Sequence, residues 1–195
     1  MTSTTIGFEE RLNRILPRIT SDDFLQSKGL GNEIGFWIFD YPPERELEMR
    51  SFIADVVLPA LARRTPPIRV HNVNLFDLVI DLLRERGLLD KVLQMQADKG
   101  DEAVAAPLRS VLKEDKLAQR IASQVNLDDI DLLMLTGVGA AYPMLRTNTL
   151  LSALHPVMQS TPLLMFYPGR YDGFSLSLFN KLADDHYYRA FRLVE

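Results

Sequence analysis

Cysteine is absent from the 195 residues. A disulfide scaffold, a zinc ribbon, a thiolate-held iron–sulfur cluster and a cysteine nucleophile are thereby excluded. The absence fits a reducing compartment without requiring one. Histidine is scarce: His71, His155 and His186 are the only three, and none lies four residues from another ligand as a helical zinc motif needs. No Gly-Lys pair occurs, so there is no Walker A loop to wrap and reach phosphates. Basic excess is missing too. Lys and Arg number 22 against 26 Asp and Glu, a net charge of −4. That balance weighs against a domain that grips DNA, because such affinity rests on phosphate neutralisation. Long apolar runs are lacking; residues 163–167 fall far short of the roughly 18 a membrane helix needs. The first residues show neither a basic start nor an unbroken apolar stretch, so the expectation is a cytoplasmic protein without a membrane anchor.

What is present suffices for a core. Hydrophobic residues make up 47%, and a chain of this length buries roughly 70% of its unfolded surface. One domain over 1–195 is expected, with the helix-rich segment 74–125 as a candidate subdomain. Phe8, Leu12, Ile15, Leu16 and Ile19 recur at helical spacing, and the glycines at 29 and 31 end that pattern. Met49, Phe52, Ile53, Val56, Val57, Ala60 and Leu61 mark a second helix, which Pro59 should kink or end. Asn74 suits a helix cap before Leu75, Leu78, Val79, Leu82 and Leu83, and Gly87 a stop. Helical patterns follow at 88–96 and from 101 to about 125, and another at 148–155. Short apolar, β-favouring runs at 35–39, 68–73, 130–135, 162–167 and 187–194 read as strands. A turn is expected at Pro168-Gly169 and a short helix at 175–182. In the last strand Arg189 and Arg192 face opposite sides, which places it at an edge. Five strands separated by helices predict an α/β fold: a mainly parallel five-stranded sheet between helices, Rossmann-like or degenerate P-loop-like, with a helix-rich insertion.

Ligands of open α/β sheets bind beyond the carboxyl ends of the strands. Three segments qualify: 40–44, 136–142 and 167–173. Gly137-Val138-Gly139 lacks a third glycine and reads mainly as a tight turn. Gly173-Phe174-Ser175-Leu176-Ser177 departs from a nucleophile elbow at its last position, so Ser175 reads as a cap. Asp184-Asp185-His186 and Asp128-Asp129-Ile130-Asp131 read as solvated ends, because adjacent side chains do not normally converge on one ion. The candidate partner-binding residues are Tyr167, Arg170, Tyr171, Asp172, Tyr188 and Arg189. In one reading Arg170 binds an acidic group and the tyrosines supply a rigid contact surface. In the other an Arg170–Asp172 pair merely shapes the loop. Tyr187 and Phe191 likewise mix edge-strand structure with partner contact.

Several stretches are those of a known family. They are Gly-Asn-Glu-Ile-Gly-Phe-Trp-Ile-Phe-Asp-Tyr-Pro-Pro-Glu at 31–44, Tyr-Pro-Gly-Arg-Tyr-Asp-Gly at 167–173, Leu-Phe-Asn-Lys-Leu at 178–182 and Tyr-Tyr-Arg-Ala-Phe-Arg-Leu-Val at 187–194. In these the chain resembles the BrxB family of BREX (bacteriophage exclusion) systems, over essentially its whole length. The resemblance implies a small component of a multi-protein anti-phage system. That system modifies host DNA with a methyltransferase (PglX), blocks phage DNA replication, and includes a large ATPase (BrxC) and an alkaline-phosphatase-like protein (PglZ). It carries no catalytic residues, metal or cofactor over to this chain. The expectation is a non-catalytic adaptor or scaffold for other BREX proteins, PglZ first and PglX or BrxC next, with no strong DNA binding of its own. Self-association stays open. The alternative is a degenerate nucleotide- or nucleic-acid-binding domain of the same assembly.

Overall fold

In the computed structural model, which describes residues 6–26, 35–158, 160–184 and 190–195, the apolar runs form the centre of a sheet. Its parallel strands are β1 (Phe36–Tyr41), β2 (Val70–Asn74), β3 (Leu132–Thr136), β4 (Leu163–Tyr171) and β7 (Phe191–Arg192), in the spatial order β2-β3-β4-β1-β7. Strands in such a sheet are covered on both faces, which is why β1, β3 and β4 read as unbroken apolar runs. β1 and β4 run in register from Phe36 beside Leu163 to Tyr41 beside Pro168. β7 lies at the edge, as expected of a strand with arginines assigned to both faces. Residues 187–189 of the expected last strand, and the break at 29–32, lie outside the described residues.

Side chains alternate between two cores. Trp37, Phe39, Leu132, Met134, Leu164 and Phe166 face α1 (Phe8–Ile19), α2 (Asp22–Leu25), α3 (Glu46–Phe52) and α4 (Leu58–Ala62). Phe36, Ile38, Leu133, Leu135 and Met165 face the other way. There they meet α5 (Leu75–Glu85), α7 (Asp101–Val111), α8 (Glu114–Gln124) and α10 (Thr147–Leu154). Between α5 and α7, α6 (Leu89–Lys99) contributes no fully buried residue. The helix-rich insertion therefore lays a layer on one face of the sheet. A short helix, α9 (Val138–Ala141), follows β3.

Local chemistry sets the ends. Asn74 Oδ1 accepts from Phe76 N at 3.0 Å and Asp77 N at 3.4 Å, capping α5 as expected. Pro59 sits in the first turn of α4, which ends three residues later at Ala62. A wide π turn, Ile53–Val57, precedes α4 and absorbs the missing N–H and the bulk of the ring. At the amino ends of β2 and β3, Asp131 accepts from Arg69 N at 2.7 Å and Nη2 at 2.8 Å, tying the strands together.

Two expectations are corrected. Residues 175–182 are not a helix but a hairpin, β5 (Leu176–Leu178) and β6 (Leu182–Asp184), with β5 antiparallel to β4. The signal is period two: Leu176 and Leu178 are buried and Ser177 between them is not. Pro168-Gly169 is not a turn but lies inside β4. Pro168 ends the β1 pairing, and its carbonyl accepts from Phe179 N at 2.9 Å. Gly169 is needed for closeness: a Cβ there would stand 2.2 Å from Ser177 O, backbone that cannot give way.

Gly169→Ala is expected to lower unfolding free energy by about 2 kcal/mol or more in urea denaturation. Gly7→Ala, at an open position, should stay within about 0.5 kcal/mol of the parent. Equal stabilities of the two variants would refute the close approach.

Candidate functional site

The parallel strands bring all three candidate segments to one rim, where a sheet of this kind takes its ligand. Each segment, however, is engaged by the protein itself. After β1 the chain enters Pro42 and a tight 3-10 turn, Pro43–Arg45. Two successive prolines there have no N–H to offer a phosphate. After β3, Gly137 adopts φ +69 and packs on the Asn74 cap; a Cβ would stand 2.1 Å from Asn74 Oδ1. Gly139 lies against Phe179 and Pro168, where a Cβ would stand about 3 Å from each. The β5–β6 hairpin thus folds back over the rim. Phe179 and Asn180, at its tip, both have positive φ, 55° and 58°. For phenylalanine that conformation is strained. It is held by the Pro168 hydrogen bond and by an edge contact with Tyr142 at 6.2 Å.

Beneath the rim lies a charged knot. Asp40, 7% exposed, ends the apolar run of β1. Its Oδ1 accepts from Arg11 Nη2 at 2.6 Å and its Oδ2 from Tyr171 N at 3.0 Å. Arg11 also donates to Asp40 O at 2.8 Å and stacks 4.9 Å over the Phe39 ring. Arg192, in β7, donates to Tyr171 O and brings its Nε to 4.0 Å from Asp40 Oδ1. Nearby, the Tyr41 hydroxyl donates to Glu46. Burial first, then that bond, pushes the Tyr41 phenol well above the usual tyrosine range. Sequence reasoning missed this knot. Its signal was a lone carboxylate at the end of an otherwise apolar strand, which needs a cation.

The six candidate partner-binding residues separate. Tyr167 is buried in the core, and Tyr171 is fully buried, its hydroxyl donating to Ala190 O at 2.7 Å. Arg170, on β4, is exposed, in a polar depression of about 560 Å³ with Asp172, Ser175, Ser177 and Asn180. Asp172 Oδ1 accepts from Phe174 N at 2.9 Å and Ser175 N at 2.8 Å. Those two amides, more than the charge of Arg170, hold its carboxyl below the usual range. Tyr188 and Arg189 lie outside the described residues, as do Asp185 and His186. The Ser175 hydroxyl donates to Asp172 Oδ2 at 3.0 Å rather than to a base. His155 makes an edge contact with Phe36 in the core. Among the described residues no group of His, Asp and Glu could hold a metal ion, and no helix is long and apolar enough to cross a membrane.

The molecule is thus a three-layer α/β protein with a parallel sheet and no Walker A loop. The family model described as "BREX protein BrxB" matches residues 71–193. A relative from Escherichia coli O9:H4 (strain HS), "BREX protein BrxB", is 44% identical over 95% of this chain and 91% of its own length. One from Bacillus cereus (strain H3081.97), with the same description, is 40% identical over 95% and 97%. No solved structure matches. The chain belongs to the BrxB family, a component of BREX phage-defence systems.

Asp40→Ala would leave the half-buried Arg11 guanidinium without its carboxylate and the Tyr171 amide without its acceptor. It is expected to cost about 3 kcal/mol, measured by denaturant midpoint. On acidification the Phe174 and Ser175 amide resonances are expected to titrate below the ordinary aspartate value of about 3.9. The sign follows from Asp172: a depressed folded pKa means its contribution is present above the unfolded value and lost as pH falls through the folded one. A midpoint at or above 3.9 would contradict the turn geometry.

Proposed function

We propose that this chain is a non-catalytic adaptor or scaffold within the BREX assembly, with PglZ its first partner and PglX or BrxC next. One observation carries the reading: the sheet's ligand-binding rim is covered by the chain's own hairpin, with Phe179 seated on Gly139 and Pro168. The cleft left beside it, between 142–148 and the hairpin, measures about 220 Å³. That is below the roughly 300–1,000 Å³ of sites that enclose a drug-sized ligand, and it argues against a degenerate nucleotide domain holding a whole nucleotide. The outer surface of the hairpin region suits a protein partner instead. Arg170 is exposed there, and Phe174 beside it is 66% exposed. Arginine and aromatic side chains are the residue types that anchor protein interfaces. Tyr167 and Tyr171 act from beneath, setting the strand that presents Arg170.

Tagged protein purified from cells with the complete defence operon is expected to retain PglZ. Retention of no BREX component, under conditions that preserve the assembly, would overturn the adaptor role. Arg170→Glu is expected to weaken that association by about 1–3 kcal/mol without changing the unfolding midpoint. Unchanged affinity would remove Arg170 from the interface.

A further inference from the structure

Helix α10 begins without a cap. Its N-cap residue, Arg146, offers no capping side chain, and the first N–H groups of a helix have no partner inside it. Leu150 N bonds to Arg146 O at 3.1 Å, and Thr149 N donates to Asn148 Oδ1 at 2.6 Å. The backbone amides of Thr147 and Asn148 are left over. The Thr149 bond also orients the Asn148 side chain. Its oxygen is occupied by the helix, and its NH2 group meets no acceptor among the described residues. Yet Asn148 is only 5% exposed. The side chain is held by the helix and the NH2 group faces the cleft, where only solvent or a ligand can accept from it.

Asn148, Thr147 and Arg146 line the 220 Å³ cleft of the rim, closed on the far side by Tyr167, Leu176 and Leu178. Arg146 is the one charged residue among the described residues that line it, and none of them is a carboxylate. Glu114, on the packed helix α8, accepts from the Thr149 hydroxyl at 3.0 Å. Converging donors, a helix amino terminus and an arginine define a pocket for negative charge.

We infer that this cleft binds a small oxyanion of phosphate size. Two backbone amides of α10, the Asn148 NH2 and the Arg146 guanidinium supply its donors. The volume admits a phosphate group. The chemistry is shared by free phosphate and by the phosphate of a monoester. The inference concerns the isolated chain and stands apart from the adaptor role, so failure of one leaves the other in place.

The test is a titration of the isotopically labelled full chain with inorganic phosphate, at ionic strength held constant with sodium chloride and read by amide resonances. Saturable shifts at Thr147 and Asn148 are expected, with a Kd at or below about 1 mM. Arg146→Ala, at an exposed position, should weaken binding at least tenfold while leaving the rest of the spectrum in place. Asn148→Asp, which replaces the amide donor with a like charge, should abolish it. A parallel titration with adenosine monophosphate separates the sources: tighter binding than phosphate points to a monoester, equal binding to the free ion. Shifts that fail to saturate, or an Arg146→Ala variant that binds as the parent does, would overturn the site.

Discussion

The fold depends on a carboxylate at the end of β1, the strand beside the central β4. Asp40 lies where β1 leaves the core, too buried to rely on water. Three distant parts of the chain come to it: Arg11 from the amino-terminal helix, the Tyr171 amide from β4 and Arg192 from the last strand. A buried carboxylate left unpaired is costly, and each partner fixes where its own element sits. β7 has only two residues in its ladder, so its docking draws on this knot as well as on Leu193 and Val194 in the core. The same knot fixes the height of Tyr171, and with it the level at which β4 hands over to the hairpin.

The hairpin covers the rim that a parallel sheet of this order would otherwise leave open. In an open parallel sheet the carboxyl ends of the strands form a crevice, and ligands use it. Here the crevice is occupied by an aromatic ring. Phe179 accepts a left-handed backbone conformation, and glycines at 139 and 169 leave room for the ring and for the backbone behind it. Strain of this kind, of order 1–3 kcal/mol, persists only where surrounding contacts over-determine it. What remains beside the ring is a small donor-lined cleft and a polar outer surface around Arg170.

Much of the architecture was legible from spacing. β1, β3 and β4 stood out as apolar runs too long for one-faced strands and too short for helices. Asn74 announced α5, and arginines on both faces of the last strand placed it at an edge. The hairpin was not legible in the same way. Gly173-Phe174-Ser175 resembles a helix entry, and Pro168-Gly169 resembles a turn. Both readings use local preference alone. The strand persists because β1 and β5 hold opposite ends of β4, a pairing across more than a hundred residues in one case and fewer than ten in the other. The candidate site was half legible. Arg170 and Asp172 do lie at the surface, but Tyr167 and Tyr171, which share their segment, turn inward on a strand of period two.

By itself the sequence determined the composition of the layers, the parallel class of the sheet, the lack of a phosphate-wrapping loop and, through its motifs, the family. These rest on residue type and periodicity, which local chemistry reads directly. Tertiary structure alone decided which charges meet at Asp40, that the rim is closed by Phe179, and that the Asn148 amide opens into a cleft beside an uncapped helix. Each of those depends on residues far apart in the chain arriving at one place, and neither spacing nor propensity encodes that distance.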